Sequence, residues 1–306
     1  MKRWAAALLL AWATLACGET WRFALIGDTP YSDLERAELP RMLDSIADAS
    51  VDFVAHIGDF KNGRARCDDS LYADRLQVFS ASRVPLVYVP GDNDWSDCER
   101  VSNGGYEPLE RLDKLREFFW SDAFSLGQRK LPLDRQPGAY REHSRFKHGP
   151  LLFVTLNLPG GGNNAGLATE ARGEYLARMP RVLEWISESF ALARQHQLAG
   201  IVLLFQANPG FPQFNQGVPK RGYQDFLERL REESRAFPGQ VLAVHGDTHM
   251  SRIDQPLRDD QGKTIRNFTR VETFGYPAMG WTRVIVDPAN PGLFRFETYP
   301  WAATGR

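Results

Sequence analysis

Short apolar runs, each stopped by a polar or glycine turn, recur along the chain. The first, Trp21-Arg22-Phe23-Ala24-Leu25-Ile26, ends at Gly27-Asp28. Others cover residues 51–57, 84–89, 151–156, 201–205 and 241–244, rich in Val, Ile, Leu or Phe and closed by Gly, Pro, Asn or Asp. Runs that are continuous rather than alternating predict strands buried on both faces of a sheet. Between them, apolar spacing predicts helices over 34–49, 71–82, 109–120, 170–195 and 223–235. The longest places Leu176, Met179, Leu183, Ile186 and Phe190 three to four residues apart, a stripe expected to face the core. The last third changes character, with β-rich segments near 268–274, 281–286 and 293–299. Strand–helix alternation followed by a strand cluster implies an α/β body carrying a second sheet, with Trp281 and Trp301 in the core of that sheet.

At 306 residues and 43% hydrophobic, the chain is long enough for one large α/β domain. No repeat or inter-domain linker divides it, so residues 19–306 read as a single domain. Its 37 basic against 38 acidic residues lack the electrostatic footprint of a nucleic-acid-coating protein. Lys2-Arg3, an apolar run over 4–16 and then small residues have the layout of a secretory signal peptide over 1–18. A buried N-terminal helix is the alternative. Export to a periplasmic or extracellular location is therefore expected, and no stretch reaches transmembrane length. Cys17 is a candidate lipid anchor, although Thr14 stands where a bacterial lipobox usually has Leu. Export leaves Cys67 and Cys98 as a pair, expected to form a disulfide; two free thiols are the alternative.

Gly27-Asp28, Gly58-Asp59, Gly91-Asp92 and Gly246-Asp247 each follow an apolar run. Any one of them is ordinary turn chemistry. Four in register with strand ends would gather four carboxylates at one sheet edge, where ligands of α/β proteins bind. Such anions repel unless cations neutralise them, and two divalent metals would cancel about four charges. His249 adds an imidazole two residues past Asp247. The Gly- and Asn-rich segment 157–167 and the segment 208–220 are candidate binding loops or solvated connections. Asn267-Phe268-Thr269 fits the N-glycosylation pattern but falls in a predicted strand.

Gly27-Asp28, Gly58-Asp59, Pro90-Gly91-Asp92-Asn93-Asp94 and Gly246-Asp247-Thr248-His249, in this order, resemble the calcineurin-like metallophosphoesterase superfamily. The resemblance implies an α/β fold, a four-layer αββα sandwich of two mixed sheets. It also implies a two-metal centre that hydrolyses small phosphate mono- or diesters with a metal-activated hydroxide. Asp28 matches the first carboxylate ligand, Asp59 the carboxylate bridging both metals, and His249 the last histidine of the family's G-H-x-H block. Elsewhere the chain departs from the pattern. Pro30 replaces a histidine ligand, Asp92 the asparagine ligand, and Asp247 the first histidine of G-H-x-H. Gln206 or Asn208 stands roughly where an isolated histidine ligand belongs. Asn93 replaces the histidine that contacts phosphate and assists the leaving group, while Asp94 keeps the acidic position after it.

Imidazoles are lost and oxygen donors gained, which favours Mn²⁺ or Mg²⁺ over Zn²⁺ or iron. Asn93 donates a hydrogen bond but delivers no proton at neutral pH, so the site should prefer good leaving groups or use another acid. His56 and His245 are candidates for that acid; as both sit in apolar runs, a buried supporting role competes. Lys61, Asn62, Arg64 and Arg66, in the loop that Cys67 would anchor, together with Asn157, are candidates to hold the substrate's phosphate. Phe211, Phe214 and Tyr223 are packing residues or a stacking surface. A different class remains open: a protein that keeps the fold for binding or regulation with weak or no turnover, or an exported carrier of divalent cations. The carboxylates gained at Asp92 and Asp247 argue for altered metal choice over decay.

Overall fold

Along the first strand, Phe23 and Leu25 turn to one side and Ala24 and Ile26 to the other, and the two pairs join different apolar clusters. That partition builds the whole molecule. The computed structural model describes residues 19–166 and 169–302; the expected signal peptide and Cys17 lie outside the described residues. In chain order the strands are β1 (Trp21–Ile26), β2 (Phe53–Ile57), β3 (Leu86–Val89), β4 (Asp134–Arg135), β5 (Ser144–His148) and β6 (Leu151–Thr155). They continue with β7 (Gly200–Leu204), β8 (Gln240–His245), β9 (Arg252–Asp254), β10 (Phe268–Glu272), β11 (Gly280–Val286) and β12 (Phe294–Pro300). The helices are α1 (Asp33–Asp48), α2 (Asp69–Ser80), α3 (Pro108–Phe119), the single turn α4 (Gly160–Asn163), α5 (Thr169–Gln195), α6 (Phe211–Asn215) and α7 (Gln224–Ala236).

One sheet has five strands in the order β12-β11-β1-β2-β3, the other seven in the order β4-β5-β6-β7-β8-β10-β9. Both are mixed: β1, β2 and β3 run parallel while β11 and β12 oppose them, and β6, β7, β8 and β10 run parallel between antiparallel edges. Phe23, Phe53, Val87, Phe153, Val202 and Val244 form the seam between the sheets. Alternate residues face outward under helices: Ala24, Val54 and Leu86 meet Leu39, Phe79 and Leu115 of α1–α3. On the far side Leu152, Ile201 and Val241 meet Ile186, Phe190 and Leu230 of α5 and α7. The result is a helix–sheet–sheet–helix sandwich. Helix starts follow local chemistry: Ser32 accepts from Glu35 N at 3.2 Å to cap α1, and Pro108 opens α3 behind a Glu107 cap.

Three expectations need correction. The strand cluster of the last third does not make a separate sheet: β9 and β10 extend the seven-stranded sheet, while β11 and β12 return to the first. Trp281 accordingly packs under the helices of the first sheet, as does the partly buried Trp301. On α5, Leu176 is 57% exposed, and Val182 and Trp185 complete the buried stripe with Met179, Ile186 and Phe190. β4 and β5 escape the sequence pattern because they are short, polar edge strands with Phe146 as their main apolar anchor. Asn267 donates its amide to the carbonyls of Ser234, Phe237 and Gly239, at 2.9, 3.0 and 2.9 Å, and so ties α7 to β10.

Cys67 and Cys98 are joined in a disulfide across 31 residues, and both are fully buried. It links the loop after β2 to the loop after β3, the two loops that carry Asp59 and Asp92. Replacing both cysteines by serine is expected to cost about 3–4 kcal/mol, from the entropy of the loop they close. Urea unfolding with and without reductant measures this; identical midpoints would rule it out.

Candidate metal centre

The carboxyl ends of β1, β2, β3 and β8 meet along one edge, so the four Gly-Asp turns come from both sheets. Asp247 N lies 3.1 Å from both oxygens of Asp28, and His249 Nε2 lies 3.4 Å from Asp28 Oδ1. His249 Nδ1 lies 2.7 Å from the Tyr276 carbonyl. That oxygen calls for an N–H on Nδ1, which orients the ring so that Nε2 faces Asp28. Asp59 Oδ1 accepts from Asn93 N at 3.0 Å. Its Oδ2 accepts from Asn93 Nδ2 at 2.9 Å, Gln206 Nε2 at 3.1 Å and Tyr31 Oη at 3.0 Å. Asp247 Oδ2 accepts from Asn208 N at 2.8 Å.

The glycines of these turns do more than turn. A Cβ on Gly91 would lie 2.1 Å from Asp59 Oδ1, and one on Gly246 would lie 2.0 Å from Asp28 Oδ2. Each glycine thus makes room for the carboxylate of a neighbouring turn. A Cβ on Gly160 would stand 2.7 Å from Asp92 Oδ1 and 2.8 Å from Asp247 Oδ1, so these two carboxylates face one small space. Asp28, Asp59, Asp247 and His249 all have left-handed backbones, with φ of 49°, 55°, 77° and 57°. Asp and His enter that region more readily than most non-glycine residues but still at a cost, and residues held there concentrate at functional sites.

Burial raises the pKa of Asp28, partly offset by His249. Burial and then the charges of Asp92, Asp94, Asp28 and Asp247 raise Asp59 well above the usual carboxylate range. Burial, Asp247 and Asp97 do the same to Asp92, and burial pushes Asp247 up to about 6. Although burial disfavours its imidazolium, His249 is raised by the hydrogen bond and charge of Asp28. Burial and the same carboxylates hold the Tyr31 hydroxyl far above its ordinary range. A buried group of anions that repel one another is a fit environment for divalent cations, and its donors are mainly hard oxygens. Among the described residues, however, no three His, Cys, Asp or Glu side chains already stand as a ready ligand set. The side chains would have to draw together around an ion. Asp92→Asn removes one of the repelling charges and is expected to stabilise the metal-free protein by about 1 kcal/mol at pH 7. A melting temperature in chelator that fails to rise would contradict the repulsion.

The remaining candidate residues have distinct places. Asp94 Oδ2 accepts from Asp59 N, Gly91 N and Tyr88 Oη at 2.9, 2.8 and 2.8 Å, and its Oδ1 accepts from Phe60 N at 3.0 Å. It braces the two loops that present Asp59 and Asp92. Gln206 turns its amide nitrogen to Asp59, while its oxygen accepts from Gly160 N at 2.5 Å, so it offers the cluster a donor. His56 and His245 are fully buried, and that burial lowers both to about 4. His56 Nε2 lies 2.8 Å from the Thr29 carbonyl and His245 Nδ1 lies 2.9 Å from the Gly246 carbonyl, under the Asp28 and Asp247 turns. Burial keeps both from a substrate, which corrects the expectation of a histidine acid.

Lys61 is buried, with Nζ donating to Ala65 O at 2.9 Å and Asn62 O at 3.3 Å. Asn62 donates to the Tyr31 carbonyl at 2.7 Å, Arg66 pairs with Asp68, and Arg64 is exposed. Asn157 is buried, its side-chain amide donating to Glu142 Oε1 at 3.0 Å and its backbone carbonyl accepting from Arg178 at 2.7 Å. Phe211, Phe214 and Tyr223 are packed into the core on the α5–α7 side. Tyr31 was missed altogether. It stands three residues beyond Asp28, but nothing in the spacing says that its hydroxyl reaches across to Asp59 and Asn93.

The family model for calcineurin-like phosphoesterases matches residues 22–251 of the chain. Among solved structures the chain is similar to a dimetal phosphatase from Danio rerio, with a TM-score of 0.55 and 14% identity over 92% of this chain and 99% of that one. It is also similar to GAP50, the anchor in the inner membrane complex of Plasmodium, with a TM-score of 0.53 and 12% identity over 92% and 89%. At these identities the likeness concerns the fold. No curated protein matches the chain.

Proposed function

Because the chain belongs to the calcineurin-like phosphoesterase family, we propose that it hydrolyses small phosphate mono- or diesters at the Asp28–Asp59–Asp92–Asp247 edge. The observation that carries this reading is the group of buried carboxylates that raise one another's pKa where the ends of both sheets meet. Asp28, Asp59, Asp92, Asp247 and His249 would hold two divalent cations. Such cations acidify water and neutralise the charge of a phosphoryl group. The oxygen-rich set suits Mn²⁺ or Mg²⁺ better than Zn²⁺ or iron. The exposed Arg64 is the candidate left to meet phosphate oxygens, Asn93 holds Asp59, and Asp94, Gln206 and Lys61 hold the loops in position. The leader layout and the buried disulfide support export to an oxidising compartment.

A second reading, binding or regulation with little turnover, rests on a specific observation. Both amide hydrogens of Asn93 are engaged, on Tyr31 Oη and Asp59 Oδ2, so neither is free for substrate in this arrangement. The Plasmodium neighbour is described as an anchor, which is consistent with such a use of the fold.

The deciding measurement strips residues 19–306 with chelator and restores Mn²⁺, Mg²⁺, Ca²⁺ or Zn²⁺ singly. Aryl phosphates, phosphodiesters and nucleotides are then offered. Hydrolysis with Mn²⁺ or Mg²⁺ is expected. Turnover with Zn²⁺ alone would overturn the metal assignment, and none with any metal would favour the second reading.

A further inference from the structure

Asn93 stands where the family has an imidazole beside the leaving group, and the two buried histidines do not replace it. Beside Asn93 stands the hydroxyl of Tyr31, with Oη 3.0 Å from Asn93 Nδ2 and 3.0 Å from Asp59 Oδ2. Its ring is held firmly. It stacks on Tyr276 at 6.1 Å between centroids and meets His249 edge-on at 5.2 Å. Its backbone N donates to Glu35 Oε2 at 2.7 Å, and its carbonyl accepts from Asn62 at 2.7 Å.

Tyr31 also lines a cleft of about 810 Å³ together with Arg36, Lys61, Asn62, Arg66 and Arg75. One ring therefore borders both the carboxylate edge and a space large enough for the alcohol part of an ester. Asp59 keeps its bonds from Asn93 and Gln206 when the phenolic hydrogen turns away, and rotation about the phenol C–O bond is easy.

We propose that Tyr31 is a catalytic residue whose hydroxyl donates a hydrogen bond to the ester's bridging oxygen as the alcohol departs into this cleft. The proposal rests on the phosphoesterase reading. In the reaction ROPO₃²⁻ + H₂O → ROH + HPO₄²⁻, a water oxygen forms the new P–O bond. The old P–O bond breaks with its electron pair on the leaving oxygen. Tyr31 keeps its own proton throughout, and the hydrogen that ends on ROH comes from water. A donor aimed at an oxygen that gains charge helps most when that oxygen is most basic.

The test is Tyr31→Phe, which keeps the ring and its stacking, in the Mn²⁺-loaded protein. Expected is a fall in kcat of about 100-fold on an alkyl phosphate but less than about 5-fold on p-nitrophenyl phosphate, within the range for one lost donor. Mn²⁺ affinity by calorimetry should stay within about 3-fold, the scale of a 0.6 kcal/mol change. Equal slowing of both esters, or Mn²⁺ affinity falling in step with the rate, would overturn the proposal and leave Tyr31 as a support for Asp59. A wild-type protein inactive on every ester would instead overturn the phosphoesterase reading, and this role with it.

Discussion

With Gly91 replaced by alanine, the protein is expected to fold and to hydrolyse phosphate esters at least about 1,000-fold more slowly, since misplacement by about 1 Å alone costs about 100-fold and two carboxylates are moved. The added Cβ would lie 2.1 Å from Asp59 Oδ1 and 2.6 Å from Asp59 N. Neither atom has room to yield. Asp59 N is held by Asp94 Oδ2, which also holds Gly91 N, so retreat on either side breaks the same carboxylate's bonds. Asp92, next in sequence, moves with the alanine. The overpacking itself should cost about 1–3 kcal/mol, a drop in melting temperature of several degrees rather than loss of the fold. Circular dichroism and initial rates on one preparation separate these effects. A folded Gly91→Ala protein with near-native rate would show that the Asp59 carboxylate is not needed where it stands.

Asp59→Asn is expected to lower the Mn²⁺-supported rate by about 1,000-fold or more, in the range of losing a main transition-state group. The substitution is nearly isosteric, so its effect is chemical. Four hydrogens converge on the two oxygens, from Asn93 N, Asn93 Nδ2, Gln206 Nε2 and Tyr31 Oη. An amide offers one oxygen and one NH₂. Whichever way it turns, N–H faces N–H or O–H, at about 1–3 kcal/mol for the donors left unpaired. Relief of repulsion from Asp28, Asp92 and Asp247 acts in the opposite direction, so melting in chelator should change little while the rate collapses. Rates paired with Mn²⁺ titration calorimetry test this. Unimpaired turnover would remove Asp59 from the proposed cation site.

The parallel strands and their Gly-Asp turns were legible because a strand buried on both faces must be continuously apolar and must end in a polar turn. The α/β class and the gathering of carboxylates follow from that alone. What happens across the gap between sheets was not legible. Asp92 and Asp94 are two residues apart, yet Asp94 takes four hydrogen bonds and braces two loops, while Asp92 faces Asp247 and Gly160. Local sequence is the same kind of acid in both cases; only the partner brought by another strand distinguishes them. Tyr31 reaches Asn93 over 62 residues of chain, a separation with no periodic signature. Trp281 was misplaced because a strand's pattern reports that it is buried and says nothing of which sheet receives it.

The four left-handed residues at the site have a consequence for descent. Glycine adopts that conformation freely whereas aspartate and histidine hold it at a cost, so at positions 28, 59, 247 and 249 the side chain is kept against a backbone preference. Selection for the chemistry is what opposes that preference. In a lineage released from it, glycine should accumulate at these positions sooner than elsewhere in the loops, because there it relieves strain. A descendant chain with glycine at 28 and 247 but an intact apolar seam would be a fold kept for other work. One that holds Asp28, Asp59, Asp247 and His249 against the strain would still be under selection for what they do.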